Sequence, residues 1–130
     1  MDRLELQVEL TALPFAQWAG AEGPAPEPSS KVRERVTLAR AVAFRRQGVL
    51  NARLTPAQVR ALGEPEPDGR RLLAEAAGRG ALSPRSLDRV LRVALTAADM
   101  AGARRPGREH VAEALQYRAF DRGAGGLCSD

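Results

Sequence analysis

Cysteine, histidine, lysine, tryptophan and tyrosine each occur once in these 130 residues. A lone Cys128 cannot build a disulfide framework within one chain, so an intracellular, cytoplasmic setting is expected. With His110 as the one histidine, a His/Cys metal centre would need carboxylates or a partner to complete it, and no metal site is expected. No serine stands in an arrangement that suggests a Ser-His-Asp triad. The phosphate-loop pattern G-x-x-x-x-G-K-[ST] is absent, and the Gly-rich tail lacks the Lys-Ser/Thr that would follow it. No apolar run approaches the roughly 18 residues of a membrane span, and there is no secretory h-region at the N-terminus. Taken alone, these residues do not read as an enzyme.

Aromatics are also scarce, with three phenylalanines beside Trp18 and Tyr117. Alanine and leucine dominate the apolar 44%, a mix that favours helices over a β-sandwich. The expected fold is all-α, a compact bundle of about five helices, with an extended N-terminal arm. Arginine supplies all of the basic residues but Lys31, and the net charge of +4 permits an anionic partner without requiring one.

The arm carries an alternation. Leu4, Leu6, Val8 and Leu10 interleave with Glu5, Gln7 and Glu9, which predicts a strand with one apolar face. No second strand follows, so this one is an orphan. Residues 1–29 are therefore expected to be poorly anchored, or to pair edge to edge with another copy. The stretch GAEGPAPEPSS reads as a Pro/Gly linker.

Ser30 is the expected N-cap of a first helix. Its buried stripe is Val32, Val36, Ala39 and Ala43, widened by Leu38, Val42 and Phe44, and Gly48 ends it. Thr55, Pro56 and Gln58 form a capping box and open a short helix that stops before Gly63. A third helix is predicted from about Pro67 to Ala77. Ser83 and Pro84 open a long fourth, burying Leu87, Val90, Leu91, Ala94, Ala98 and Ala101. A fifth runs from about Arg108 to Ala119 over Val111, Ala114 and Leu115. His110, in its first turn beside Glu109, reads as a surface or capping residue. Trp18 and Tyr117 read as packing residues. The predicted organisation is a terminal strand over 1–12, a linker over 13–29, a helical domain over 30–120 and a flexible tail over 121–130.

Along the fourth helix Arg85, Arg89, Arg92 and Thr96 recur at helical spacing opposite the apolar stripe. Arg85 lies in the first turn, where the helix dipole and the guanidinium fork both suit an anion. It can equally be an ordinary surface arginine. Arg89 and Arg92 can extend a basic strip that meets nucleic acid, form a packing face, or pair with Asp88, Glu75 or Asp99.

Three stretches, NARLTPAQVRAL, GALSPRSLDRVLRVALTAADMAG and REHVAEALQYR, resemble in order and spacing the C-terminal part of magnesium-chelatase-like AAA+ ATPases of the ComM (YifB) group. The opening DRLELQVEL resembles the end of that family's ATPase core. The likeness runs from Asp2 to about Arg122 and is weakest in the linker. The family often has an aromatic at the position of Leu87, a histidine at Asp88 and an arginine at Leu95. The resemblance implies a helical lid that closes over nucleotide, with Arg85 of the SPR motif as sensor-2 and Arg3 as a candidate arginine finger across a subunit interface. It implies ATP with magnesium as cofactor in a longer protein, with none expected in these residues alone. The implied partners are the AAA+ core of the same protein and neighbours in a hexameric ring. DNA is a further candidate partner, through DNA processing in competence, and no membrane is expected. On this reading the chain begins inside a motif and is a C-terminal piece whose phosphate loop lies elsewhere. Two other readings are a stand-alone basic helical module binding nucleic acid through Arg85, Arg89 and Arg92, and a protein-interaction domain.

Overall fold

The computed structural model describes residues 4–20, 23–80 and 82–118. Six α-helices and one 3-10 turn follow in order. They are α1 (Phe15–Trp18), α2 (Ser29–Gln47), the turn (Asn51–Arg53), α3 (Pro56–Leu62), α4 (Pro67–Gly78), α5 (Pro84–Ala101) and α6 (Arg108–Gln116). Helices α2 to α6 are the five expected from the periodicity, and α1 is a single extra turn.

Local chemistry explains the starts. The Thr55 hydroxyl accepts the Gln58 N–H at 3.3 Å, and the Gln58 amide oxygen accepts the Thr55 N–H at 2.9 Å. Ser83 accepts the Ser86 N–H at 3.2 Å, with Pro84 in the first turn, where its missing N–H costs nothing. Gly107 N–H donates to His110 Nδ1 at 2.9 Å, so the buried histidine ring caps α6 from inside. Gly48 and Gly102 end α2 and α5 at φ of 77° and 71°, a left-handed conformation that glycine adopts without Cβ strain. The start of α2 corrects the sequence reading: Pro28, not Ser30, is the cap. Its carbonyl accepts from Lys31 and Val32, and no side chain helps.

Helix α5 is the axis of the bundle. One side of it, with Val90 and Ala94, closes a core with Val111, Ala114 and Leu115 of α6, against which Leu72, Leu73 and Ala76 of α4 pack. Its other side, with Leu91 and Leu95, packs on Leu54 and Val59. The family position marked by Leu95 is thus filled by a core leucine. Leu87 is only half-buried and Ala101 is exposed. Gly69 lets α4 approach closely, since a Cβ there would meet the Gly107 carbonyl at 3.2 Å and the Pro65 ring at 3.1 Å.

Two expectations fail for one reason: periodicity finds an apolar face but not what covers it. In α2 only Ala39 and Ala43 are buried, while Val32, Val36 and Leu38 in its first half are exposed, and so is Phe44 near its end, on a side of the helix that nothing covers among the described residues. In the arm there is no strand among the described residues, and Leu4, Leu6, Val8 and Leu10 are exposed while Gln7 is buried. The polar side of the alternation faces the bundle and the apolar side faces out. Trp18 is exposed as well, its ring 5.5 Å from that of Phe15 centroid to centroid, so it is no core packing residue. The predicted tail over 121–130, Cys128 and Arg3 lie outside the described residues.

Candidate functional site

The arginine row of α5 begins at the helix start and runs alongside the arm. Arg85, one residue past Pro84, is exposed at the N-terminal end. The backbone donors beside it are mostly used: Pro84 has none, Ser86 N–H goes to Ser83 Oγ and Leu87 N–H to the Ser83 carbonyl. An anion arriving here would therefore meet the Arg85 guanidinium more than a set of vacant amides.

Arg89 and Arg92 reach the arm. Arg89 Nη1 reaches the Leu4 carbonyl at 3.4 Å. Arg92 Nη1 donates to the Glu5 carboxylate at 2.5 Å and Nη2 to the Leu54 carbonyl at 3.1 Å. Neither pairs with Asp88, Glu75 or Asp99. Asp88 is held by Arg60 in a two-pronged contact at 2.8 and 3.0 Å.

Sequence reasoning missed Arg118. It follows α6, is 2% exposed, and donates to the same Leu4 carbonyl at 3.2 Å. Its other nitrogen lies 3.4 Å from Ser86 Oγ, beside the cap that starts α5. Gln7 N–H donates to the Tyr117 carbonyl at 2.8 Å. The expectation of a poorly anchored arm is thus corrected for residues 4–7, which Arg89, Arg92, Arg118 and Tyr117 hold against α5 and α6. The only signal in the sequence is that Tyr117 and Arg118 close the QYR end of α6, and nothing local names Leu4 as their target.

A second polar group is centred two turns beyond Arg92 along α5. Asp99, whose side chain is 1% exposed, accepts from both guanidinium nitrogens of Arg46, at 2.5 and 3.0 Å. Asn51 donates to Asp99 Oδ2 at 2.8 Å and to Thr96 Oγ1 at 3.1 Å, and its oxygen accepts from Arg46 and Gln47. The Thr96 hydroxyl in turn donates to the Arg92 carbonyl at 3.0 Å. The network joins α2, the 3-10 turn and α5, and gives both carboxylate oxygens of Asp99 a charge-assisted partner.

Tyr117 offers a spectroscopic check on this end of the molecule. Its hydroxyl donates to the Glu113 carboxylate at 2.9 Å, and that bond, with a smaller part from burial, raises the phenol above its ordinary value of 10.0. The protonated phenol is the form that bonds. Its contribution to stability is present below pH 10 and is lost as the pH rises through the raised value. Because the chain has one tyrosine, ultraviolet titration should give a single midpoint above 10, which Glu113→Gln moves back toward it. A wild-type midpoint at or below 10 would contradict the bond.

Among the described residues no three His, Cys, Asp or Glu side chains are grouped to hold a metal ion, and no helix is long and apolar enough to cross a membrane.

Comparison with known proteins agrees with the placement of these motifs. Residues 26–118 match the family model described as magnesium chelatase, subunit ChlI C-terminal. An uncharacterised protein of Mycobacterium tuberculosis is 38% identical over 122 residues, 91% of this chain. The competence protein ComM of Haemophilus influenzae is 34% identical over 124 residues, and YifB of Salmonella typhimurium 35% over 122, each covering 94% of the chain. The chain spans about a quarter of the length of each relative, 24%.

Proposed function

The chain belongs to the magnesium chelatase C-terminal family, as a C-terminal domain of its ComM/YifB group, and on that premise we propose that it is the helical lid of an AAA+ ATPase. The observation that carries this reading is the position of Arg85, exposed in the first turn of the helix that forms the axis of the bundle. The first arginine of the row stands exposed at the helix start, and the next two grip the arm.

In this proposal Arg85 is sensor-2 and places its guanidinium against the γ-phosphate of ATP, stabilising the charge that develops there. Magnesium rides with the nucleotide and is bound by the core. The arm is the end of that core, and Arg3 at its start is the candidate finger toward a neighbouring subunit. The exposed side of Leu4, Leu6, Val8 and Leu10 suits burial in the core's sheet, which would supply the strand partners these residues lack here. Since α5 is the packed axis of the bundle, a pull on Arg85 displaces the whole helix. Arg89 and Arg92 then deliver the motion to the arm, and so to the ring. Coupling to ring motion, and DNA processing as the output, are parts of the proposal.

The reading makes a simple demand on the 130 residues alone. Without a phosphate loop they should not hydrolyse ATP, and should bind it weakly or not at all, because one exposed arginine in water is screened by salt and solvent. Phosphate release by the purified chain, retained through successive purification steps, would sink the proposal.

A further inference from the structure

A buried arginine needs a reason. Arg118, just past α6, is 2% exposed. Taking a guanidinium out of water is costly, and an apolar side chain of similar length would fill the space without that cost. What arginine adds is a rigid fork, whose nitrogens can donate to two elements at once. Arg118 uses it in this way. Its Nη1 donates to the Leu4 carbonyl of the arm at 3.2 Å, and its Nη2 donates to Ser86 Oγ of α5 at 3.4 Å.

The serine end of this bridge lies at the start of the lid helix. Ser86 is itself buried and follows Arg85 directly in the first turn of α5. Its hydroxyl oxygen accepts from the Ser83 hydroxyl at 3.1 Å, and Ser83 Oγ in turn accepts the Ser86 N–H at 3.2 Å. The guanidinium therefore closes on the cap that sets where α5 begins. At the other end, the Leu4 carbonyl also accepts from Arg89, one turn beyond Arg85, at 3.4 Å. Arg118, Leu4, Arg89 and Ser86 thus make a circuit of contacts between the arm and α5, and Arg85 stands on the first turn that this circuit holds.

We infer that Arg118 is a positioning residue for Arg85: by tying the Ser83–Ser86 cap to the arm, it fixes the reach of Arg85 toward phosphate. The inference rests on the lid reading and deepens it. A sensor arginine helps only where its fork meets the developing charge, and a misplacement of about 1 Å can cost on the order of 10²-fold in rate. The Ser83 cap by itself holds the helix start only to its own helix. The Arg118 fork holds it to the arm, which in the proposed assembly is the end of the nucleotide-binding core. Buried as it is, Arg118 does not meet the nucleotide and acts through Ser86 and the turn that carries Arg85.

The test uses the assembly that contains the phosphate-loop core, with kcat and KM for ATP measured for each variant. Arg118→Lys keeps the charge but has one nitrogen for two partners, and should lower kcat roughly tenfold with KM within about twofold of wild type, since the contact it serves is made in the transition state. Ser86→Ala removes only the hydroxyl, leaves the backbone bond to Ser83, and should lower kcat about threefold or more. In an Arg85→Ala background either change should move kcat by less than about twofold, because residues that act as a unit are not additive. A residue that merely supports the fold would multiply its loss onto that of Arg85→Ala, and that result would overturn the inference. Asp99→Asn weakens the junction of α2 with α5 instead and should leave kcat near wild type where the protein is folded; an equal loss there would also overturn it. If Arg118→Lys does not fold, Ser86→Ala and its double variant with Arg85→Ala decide alone. Wild-type kcat in Ser86→Ala and Arg118→Lys beside a slow Arg85→Ala would overturn the inference and leave the lid reading standing. Wild-type kcat in Arg85→Ala would remove both.

Discussion

Asp99→Ala should destabilise the chain by about 3–5 kcal/mol, because removing one member of a buried ion pair strands the other. Both oxygens of Asp99 are used, by Arg46 from α2 and by Asn51 from the 3-10 turn. Without them Arg46 keeps a charge with three-quarters of its side chain out of water, and the Asn51 amide loses an acceptor. The loss falls where α2 meets α5, so α2 should loosen first, with amide protection lost there before it is lost in α4 and α6. A domain of this size has on the order of 5–15 kcal/mol in hand, and this change can consume most of it. Asp99→Asn keeps one acceptor and should be milder, which guards against a variant that fails to fold. Arg60→Ala, which breaks a pair of similar geometry on the surface, should change far less, since Arg60 is exposed. Urea unfolding of the three variants gives the comparison. A change below about 1 kcal/mol for Asp99→Ala would mean that the network contributes order without stability.

The helix starts were legible because capping is local. Thr55 with Gln58, and Ser83 before Pro84, carry their partners within four residues, and the structure forms both. The buried side of α5 was legible as well, since Val90, Leu91, Ala94 and Ala98 repeat at helical spacing over more than two turns. The alternation in the arm was equally clear, yet its apolar side lies outward. A pattern says that two faces differ and not which one meets the rest of the chain. Asp99 lies 53 residues from Arg46, and Leu4 lies 114 residues from Arg118. Separations of that order leave no trace in local spacing, so the carboxylates nearest in sequence were the wrong partners for Arg89 and Arg92. The position of Arg85 was legible from its cap. Its task was not, because helical spacing alone gives the three arginines of the row the same appearance.

In an assembly that contains the phosphate-loop core, Arg85→Ala should lower ATP turnover by about 10- to 1,000-fold, a part of the 10³–10⁵ that trans-acting arginine fingers supply in GTPases. Stability should move by no more than about 0.5 kcal/mol, as for other exposed side chains. Arg92→Ala should show the opposite signature. Arg92 sits about 10 Å further along the helix axis and holds Glu5 and the Leu54 carbonyl, so its loss should cost about 1–3 kcal/mol of stability through two broken charge-assisted bonds. Its turnover should exceed that of Arg85→Ala under conditions where both variants are folded. The deciding measurement is steady-state ATP turnover of wild type, Arg85→Ala and Arg92→Ala side by side, each with its thermal midpoint. The lid account predicts a slow, stable Arg85→Ala beside a less stable but faster Arg92→Ala. Wild-type turnover by Arg85→Ala would contradict it.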